Sequence, residues 1–243
     1  MMEAITCTRY ELPARVFAHF SRPKTSRYTA FRSPSAPSIQ CMRTLTTSNG
    51  LSVLLDRFPG ARAIATPKAV EGIQMYLSPP VQRLARRMFP GQVPTKLVGP
   101  EPYEQDTFTL EGHELRIIEQ GHTDCPDSTS LYVPSIGLIV AGDVVYNQYH
   151  MYVGDTTPES RKNWIAALDR LAALNPTIVV AGHKKPGAPA SPSTIQDTKR
   201  YLQVFDRLQK TAKSDQELFD QMTDLYPHWV ANQSWLRFGF PQP

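Results

Sequence analysis

The sequence predicts one α/β domain that follows a basic N-terminal tail. The chain has 243 residues, of which 41% are hydrophobic, and this is enough for one substantial core. From Leu51 onward, apolar residues at helical spacing alternate with short β-branched runs that Pro and Gly interrupt. Upstream of Leu51 no periodicity is sustained. We therefore predict a disordered tail over residues 1–50 and a domain over residues 51–243.

The positive charge of the chain lies in the tail. Residues 1–50 contain seven Lys or Arg and two Glu, a net +5, whereas the whole chain carries +4, so the remainder is at −1. A nucleic-acid-binding domain needs a basic face on its folded part, and we expect no nucleic-acid partner. An Arg- and Ser-rich, acid-poor tail is also typical of a mitochondrial transit peptide. Pro23, Pro34 and Pro37 oppose an amphipathic helix there, which favours a disordered tail.

The predicted location is the cytoplasm, with mitochondrial targeting by the tail as the alternative. No apolar run approaches the roughly 18 residues that a membrane helix needs, so no membrane partner is expected. Cys7, Cys41 and Cys125 show no paired spacing and indicate a reducing compartment.

The domain begins with helices and continues with strands before helices return. The sequence predicts helices over Leu51–Phe58, Ala69–Leu77 (with Pro67 in its first turn), Val81–Phe89, from Pro158 to Asn175, Thr194–Lys213 and Asp215–Leu225. It predicts strands over Ala61–Thr66, Thr95–Val98, Thr107–Leu110, Glu114–Glu119, Thr129–Val133, Gly137–Ala141 and Thr177–Val180.

Three potential metal ligands occur at the ends of predicted strands, each directly after a Gly. They are His122 in GHTDCPDS, Asp143 in AGD and His183 in AGH. Imidazole and carboxylate are ligands suited to zinc and related divalent metals. A lone His or a Gly-Asp pair is ordinary turn chemistry, but three in this order predict a metal site at the rim of a sheet.

At these residues the chain resembles the metallo-β-lactamase superfamily. The resemblance implies an αββα four-layer sandwich of the α+β class, with up to two zinc ions as cofactor. His122 and His183 would each bind one ion, and Asp143 would bridge them. It further implies a hydrolase that opens a lactam, lactone, ester or thioester of a small-molecule substrate by attack of a metal-bound hydroxide. A Tyr near position 146 points at the substrate carbonyl in some relatives, which makes Tyr146 a candidate catalytic residue; alternatively it is a half-buried tyrosine at a strand end.

The resemblance departs at the family's first motif, His-x-His-x-Asp-His. That motif is expected just before Leu51, where this chain has Leu45-Thr46-Thr47-Ser48-Asn49-Gly50, and none of the six histidines are two residues apart. The N-terminal half of the sandwich is accordingly predicted to be incomplete. Whether the chain is an enzyme stays open: it is either a hydrolase with compensated ligands, or a non-catalytic truncated family member, or the product of a wrongly assigned start or splice site.

Four further residues near the predicted ligands have competing interpretations. His150 is either a replacement ligand or, as we favour, a surface histidine. Asp124 and Asp127 either orient a ligand or cap a turn. Cys125 is more simply an inert thiol than a reactive one, because no activating base is evident beside it.

Overall fold

The computed structural model describes residues 37–39, 50–58, 60–231 and 240. Its helices are α1 (Leu51–Arg57), α2 (Pro67–Leu77), α3 (Pro79–Met88), α4 (Pro158–Ala173), α5 (Ser193–Gln209) and α6 (Asp215–Leu225). Its strands are β1 (Pro37–Ile39), β2 (Arg62–Ala65), β3 (Glu101–Pro102), β4 (Thr107–Leu110), β5 (His113–Gly121), β6 (Ser128–Val133), β7 (Leu138–Asn147) and β8 (Ile178–Lys184).

The strands form two sheets. A three-stranded parallel sheet has the order β1-β2-β3, and a five-stranded sheet has the order β4-β5-β6-β7-β8. In the larger sheet successive strands are antiparallel until β8, which returns through α4 to pair in parallel with β7. A parallel return needs a crossover connection, and α4 supplies it.

Two hydrophobic cores cover the two faces of the larger sheet. On one face, Ile139, Val145 and Val179 pack against residues of α4, α5 and α6 that include Trp164 and Phe205. On the other face, a smaller core contains Leu115, Ile117, Leu131, Val133 and Leu138, with Tyr103 beside β3 packed against it. Neighbouring residues of β8 alternate between the two cores, as a strand buried on both faces requires.

The helices begin where the sequence supplies caps. Thr66 accepts a hydrogen bond from the Ala69 amide, and Pro67 occupies the first turn of α2. Thr157 forms a capping box with Ser160 at the start of α4. Ser78 ends α2 and begins α3, so the Pro79-Pro80 pair starts a helix as well as stopping one.

The two-sheet sandwich with helices is confirmed, and four local predictions need correction. Residues 95–98 form no strand; β2 aligns Ile64 with Glu101, so its partner strand is β3. Strands β7 and β8 extend beyond their predicted ends, because bulges let them continue through Asn147 and Lys184. Helix α5 ends at Gln209, four residues before the predicted end at Lys213.

Strand β1 (Pro37–Ile39) lies within the predicted tail and pairs with β2. The remaining tail residues before Gly50 lie outside the described residues, and the boundary at residue 50 stays a prediction. The same is true of the predicted incompleteness of the N-terminal half. Within the described residues no helix is both long and apolar enough to cross a membrane.

A buried ion pair joins α4 to α5. The Arg161 side chain is 1% exposed, and its Nε donates to Asp206 Oδ1 at 2.5 Å. Its other nitrogens donate to Thr156 Oγ1 and Gln209 Oε1. A fully buried guanidinium is tolerated because each side of its fork has an acceptor.

His150 belongs to an interior aromatic cluster, which corrects its interpretation as a surface histidine. It is buried, and its Nδ1 lies 3.1 Å from the Tyr201 hydroxyl. Its amide donates to the Val230 carbonyl at 2.8 Å. Trp229 stacks on Tyr201 with ring centroids 5.0 Å apart. His150 therefore anchors the segment after α6 to the end of β7.

Replacing Asp206 by Ala should destabilise the protein by about 3 kcal/mol, because the buried Arg161 charge loses its compensating carboxylate. The matched control is Asp169→Ala, which removes the exposed α4–α5 pair between Asp169 and Lys199 and should cost at most about 1 kcal/mol. Urea unfolding of both variants measures the difference. Equal losses would contradict the role assigned to the buried pair.

The stability of the protein should fall in acid partly because of His150. Burial lowers the pKa of His150 to about 4 from 6.5. Between these pH values His150 is protonated in the unfolded chain but neutral in the folded chain. The free energy of unfolding therefore decreases as the pH falls from about 6.5 to about 4. In His150→Gln this loss should shrink by roughly 2–3 kcal/mol. Unfolding measured at pH 7 and pH 4 tests this, with the exposed His113→Gln as a control that should leave the loss unchanged.

Candidate functional site

His122 begins the turn that follows β5. The strand ends at Gly121, whose φ of 72° lies in the left-handed region that favours glycine. The His122 side chain is half-buried, and its Nε2 lies 2.9 Å from the Asp155 carbonyl oxygen. Because a carbonyl only accepts, Nε2 must carry the hydrogen. For Nε2 to bind a metal, this hydrogen bond would have to break.

Asp143 and His183 lie side by side on the paired strands β7 and β8. His183 Nε2 is 3.4 Å from Asp143 Oδ1, and the two side chains are 16% and 4% exposed. The pairing of β7 with β8 is irregular between Gly142 and Tyr146, the stretch that contains Asp143. Burial disfavours the charged imidazole, but the Asp143 carboxylate outweighs it and raises the pKa of His183.

Gly182 makes this approach possible. A Cβ atom at position 182 would overlap Asp143 Oδ1 and would lie 2.6 Å from the Gly142 carbonyl carbon. The absence of a side chain at Gly182 thus leaves the space that the carboxylate occupies. Sequence inspection identified this Gly only as a neighbour of His183, whereas its contact is with Asp143.

Two tyrosines enclose the His183 ring. The rings of Tyr146 and Tyr149 each stack on it with centroids 5.1 Å away. Tyr146 is 1% exposed and also packs against Trp164. Burial, followed by the nearby Asp143 charge, raises the pKa of the Tyr146 phenol well above its usual value. Tyr146 thus supports His183 from inside the core, and its catalytic role stays a prediction.

Asp124 is a site residue that the sequence did not single out from its neighbours. Its side chain is buried and accepts a hydrogen bond from Thr123 Oγ1 at 3.0 Å. Burial, then repulsion by Asp143, raises its pKa to about 8, while the His183 charge acts in the opposite sense. Asp124, Asp143 and His183 therefore form one electrostatic cluster. Nothing in the local sequence separates Asp124 from the turn residue Asp127, whose φ is 57°.

The cluster is compatible with a divalent cation but does not form a preassembled two-metal centre. Imidazole and carboxylate are common zinc ligands, and Asp143 and His183 converge. Cys125, by contrast, is buried with its Sγ near the Ser128 hydroxyl, which agrees with an inert thiol. Across residues 37–39, 50–58, 60–231 and 240, no three His, Cys, Asp or Glu side chains are grouped as a metal ion requires. The donor set fits one ion better than two.

Comparison with solved structures finds the same fold. A metallo-beta-lactamase family protein from Thermus thermophilus is 19% identical, with a TM-score of 0.55 over 84% of this chain and 73% of that one. The BLEG-1 B3 metallo-beta-lactamase is 16% identical, with a TM-score of 0.51 over 69% of this chain and 77% of that one. At these identities the likeness concerns the fold alone. A search of curated proteins finds no significant match.

The family is decided by the sequence match. The model of the metallo-beta-lactamase superfamily matches residues 50–183, more than half of the chain, and this range contains His122, Asp143 and His183. Membership supports a hydrolase-like function in general. The αββα architecture, the family match and the structural neighbours agree, and the chain belongs to the metallo-beta-lactamase superfamily.

Proposed function

We propose that the chain is a metal-dependent hydrolase whose site holds one divalent ion, zinc by the chemistry of its donors, at Asp143 and His183. The observation that carries the proposal is the approach of His183 Nε2 to Asp143 Oδ1, 3.4 Å apart at the end of a buried strand pair. The substrate class is a small lactam, lactone, ester or thioester. The superfamily match supports this class without specifying one member of it.

The chain's own residues prepare the site in three ways. Asp143 supplies a carboxylate that Gly182 allows to lie against β8. His183 is kept in one orientation between the rings of Tyr146 and Tyr149. Asp124 adds a second buried carboxyl group whose charge a cation would stabilise. A bound zinc ion would polarise the substrate carbonyl and acidify a water molecule.

A second candidate function is a non-catalytic binding or structural role within the family. Two observations favour it: the His-x-His-x-Asp-His motif is missing from the sequence, and the His122 ring is engaged with the Asp155 carbonyl. A catalytic zinc normally has three protein ligands and one open position. With two converging donors, a bound ion would be held weakly.

Elemental analysis and hydrolysis assays distinguish the two candidates. The hydrolase proposal expects about one zinc per chain after dialysis against the metal, and turnover of a chromogenic lactam or lactone. Asp143→Asn and His183→Gln should each lower zinc binding at least about tenfold. The exposed His228→Gln should not change it. A chain that binds no zinc and turns over neither substrate would contradict the proposal and favour the non-catalytic role.

Replacing Gly182 by Ala should displace the Asp143 carboxylate. We expect a stability loss of about 1–3 kcal/mol from overpacking against backbone atoms, together with weaker zinc binding. Gly99→Ala is the control, since its Cβ would meet only the ends of the Leu77 and Gln74 side chains at 3.2 and 3.3 Å, and these can move. Thermal unfolding and zinc titration of both variants provide the measurement. Equal behaviour of the two variants would refute the steric argument.

A further inference from the structure

We propose that Asn163 on α4 is a positioning residue for His122. Its Nδ2 donates to the Gln120 carbonyl at 3.1 Å and to the His122 carbonyl at 2.7 Å. These two carbonyls flank Gly121, so one side-chain amide bridges the turn that delivers His122. The inference adds to the candidate site a residue that lies 41 positions along the chain from the histidine it positions.

The orientation of the Asn163 amide follows from its partners. Both partners are carbonyl oxygens, which only accept hydrogen bonds, so the NH₂ group must face them. An amide NH₂ has two hydrogens, one for each carbonyl. A hydroxyl or carboxylate at this position could not satisfy both acceptors.

The turn is shaped to receive this amide. Gly121 has a φ of 72°, and a Cβ atom there would lie 3.1 Å from Asn163 Nδ2. The pairing of β5 with β6 shifts register between Glu119 and Gly121. Regular strand pairing alone therefore does not determine the conformation of the turn. Where the hydrogen-bond pattern between β5 and β6 is irregular, the two hydrogen bonds from Asn163 hold the backbone of the turn in place.

Two neighbouring contacts show what Asn163 alone contributes. Arg170, also on α4, donates to the Gln120 carbonyl at 3.2 Å but has no such bond to His122. The Asp155 carbonyl, just before α4, accepts from the His122 ring. Gln120 thus has two anchors on α4, whereas the His122 backbone depends on Asn163. If Asn163 is replaced, the His122 ring should lose its hydrogen bond to the Asp155 carbonyl.

The test uses the imidazole ring as a reporter in the metal-free full-length chain. Long-range ¹H–¹⁵N spectra of histidine-labelled protein at pH 8 should show His122 with its hydrogen on Nε2; His122→Gln assigns the signals. Asn163→Asp keeps the side-chain shape but replaces the NH₂ donors. It should shift the His122 signals toward the average of exchanging tautomers, while the signals of buried His150 stay unchanged. Asn163→Ala, a second variant, should do the same.

Arg170→Ala is the matched control, because it removes one anchor of Gln120 and none of His122. It should lower stability and leave the His122 signals unchanged. Unchanged His122 signals in both Asn163 variants would overturn the inference. An equal shift in Arg170→Ala would also overturn it, since the cause would then be general loosening of the turn.

A cobalt titration separates this inference from the proposed function on which it rests. Binding of Co²⁺ by the unsubstituted chain would support the metal site proposed at Asp143 and His183. If the unsubstituted chain binds no Co²⁺, the proposed metal site fails, and the ring spectra alone decide whether Asn163 positions His122.

Discussion

The parallel pairing of β7 with β8 is the constraint on which the site depends. It places Asp143 and His183 side by side although they lie forty residues apart in the chain. The pairing is possible because α4 crosses over one face of the sheet and fills it with Trp164 and Leu168. The same helix reaches the His122 turn through Asn163. One helix therefore both covers the sheet and contacts the turn that carries His122, the third candidate ligand.

The electrostatic arrangement follows from burying polar groups at the end of that sheet. Asp124 and Asp143 are both buried, and two adjacent carboxylates cannot both be ionised there at low cost. One resolution is protonation of Asp124, whose pKa rises to about 8. Another is attraction by a protonated His183, whose pKa is raised by Asp143. A divalent cation would serve the same purpose with more charge.

Much of the fold could be predicted from the sequence because its signals are local. Thr66-Pro67 and Thr157-Pro158 mark helix starts through caps whose partners lie within three residues. The ends of β7 and β8 could not be predicted, because a bulge depends on the register of two strands that are distant in sequence. The strand expected at residues 95–98 failed for the same reason: the register of β2 selects Glu101 instead.

In the candidate site, too, local features could be predicted from the sequence and long-range contacts could not. The Gly-His and Gly-Asp pairs indicated which residues bear ligand chemistry, since the donors and the turns are adjacent in sequence. The hydrogen bond from His122 to the Asp155 carbonyl joins residues thirty-three positions apart, and no spacing rule predicts it. The burial of His150 could not be predicted from its neighbours in sequence, because its partners, Tyr201 and Val230, come much later in the chain.

The buried acidic pair also links stability to occupancy of the site. Asp143 and Asp124 are each 4% exposed, so water does not screen their charges in the folded chain. The folded state must therefore accommodate their charge in place. A ligand that binds only the folded chain stabilises it by a free energy that grows with the logarithm of its concentration divided by its dissociation constant. A cation at the proposed site would in addition weaken the repulsion between Asp143 and Asp124. The residues of the proposed cation site are therefore also the residues whose buried charges the folded chain must accommodate.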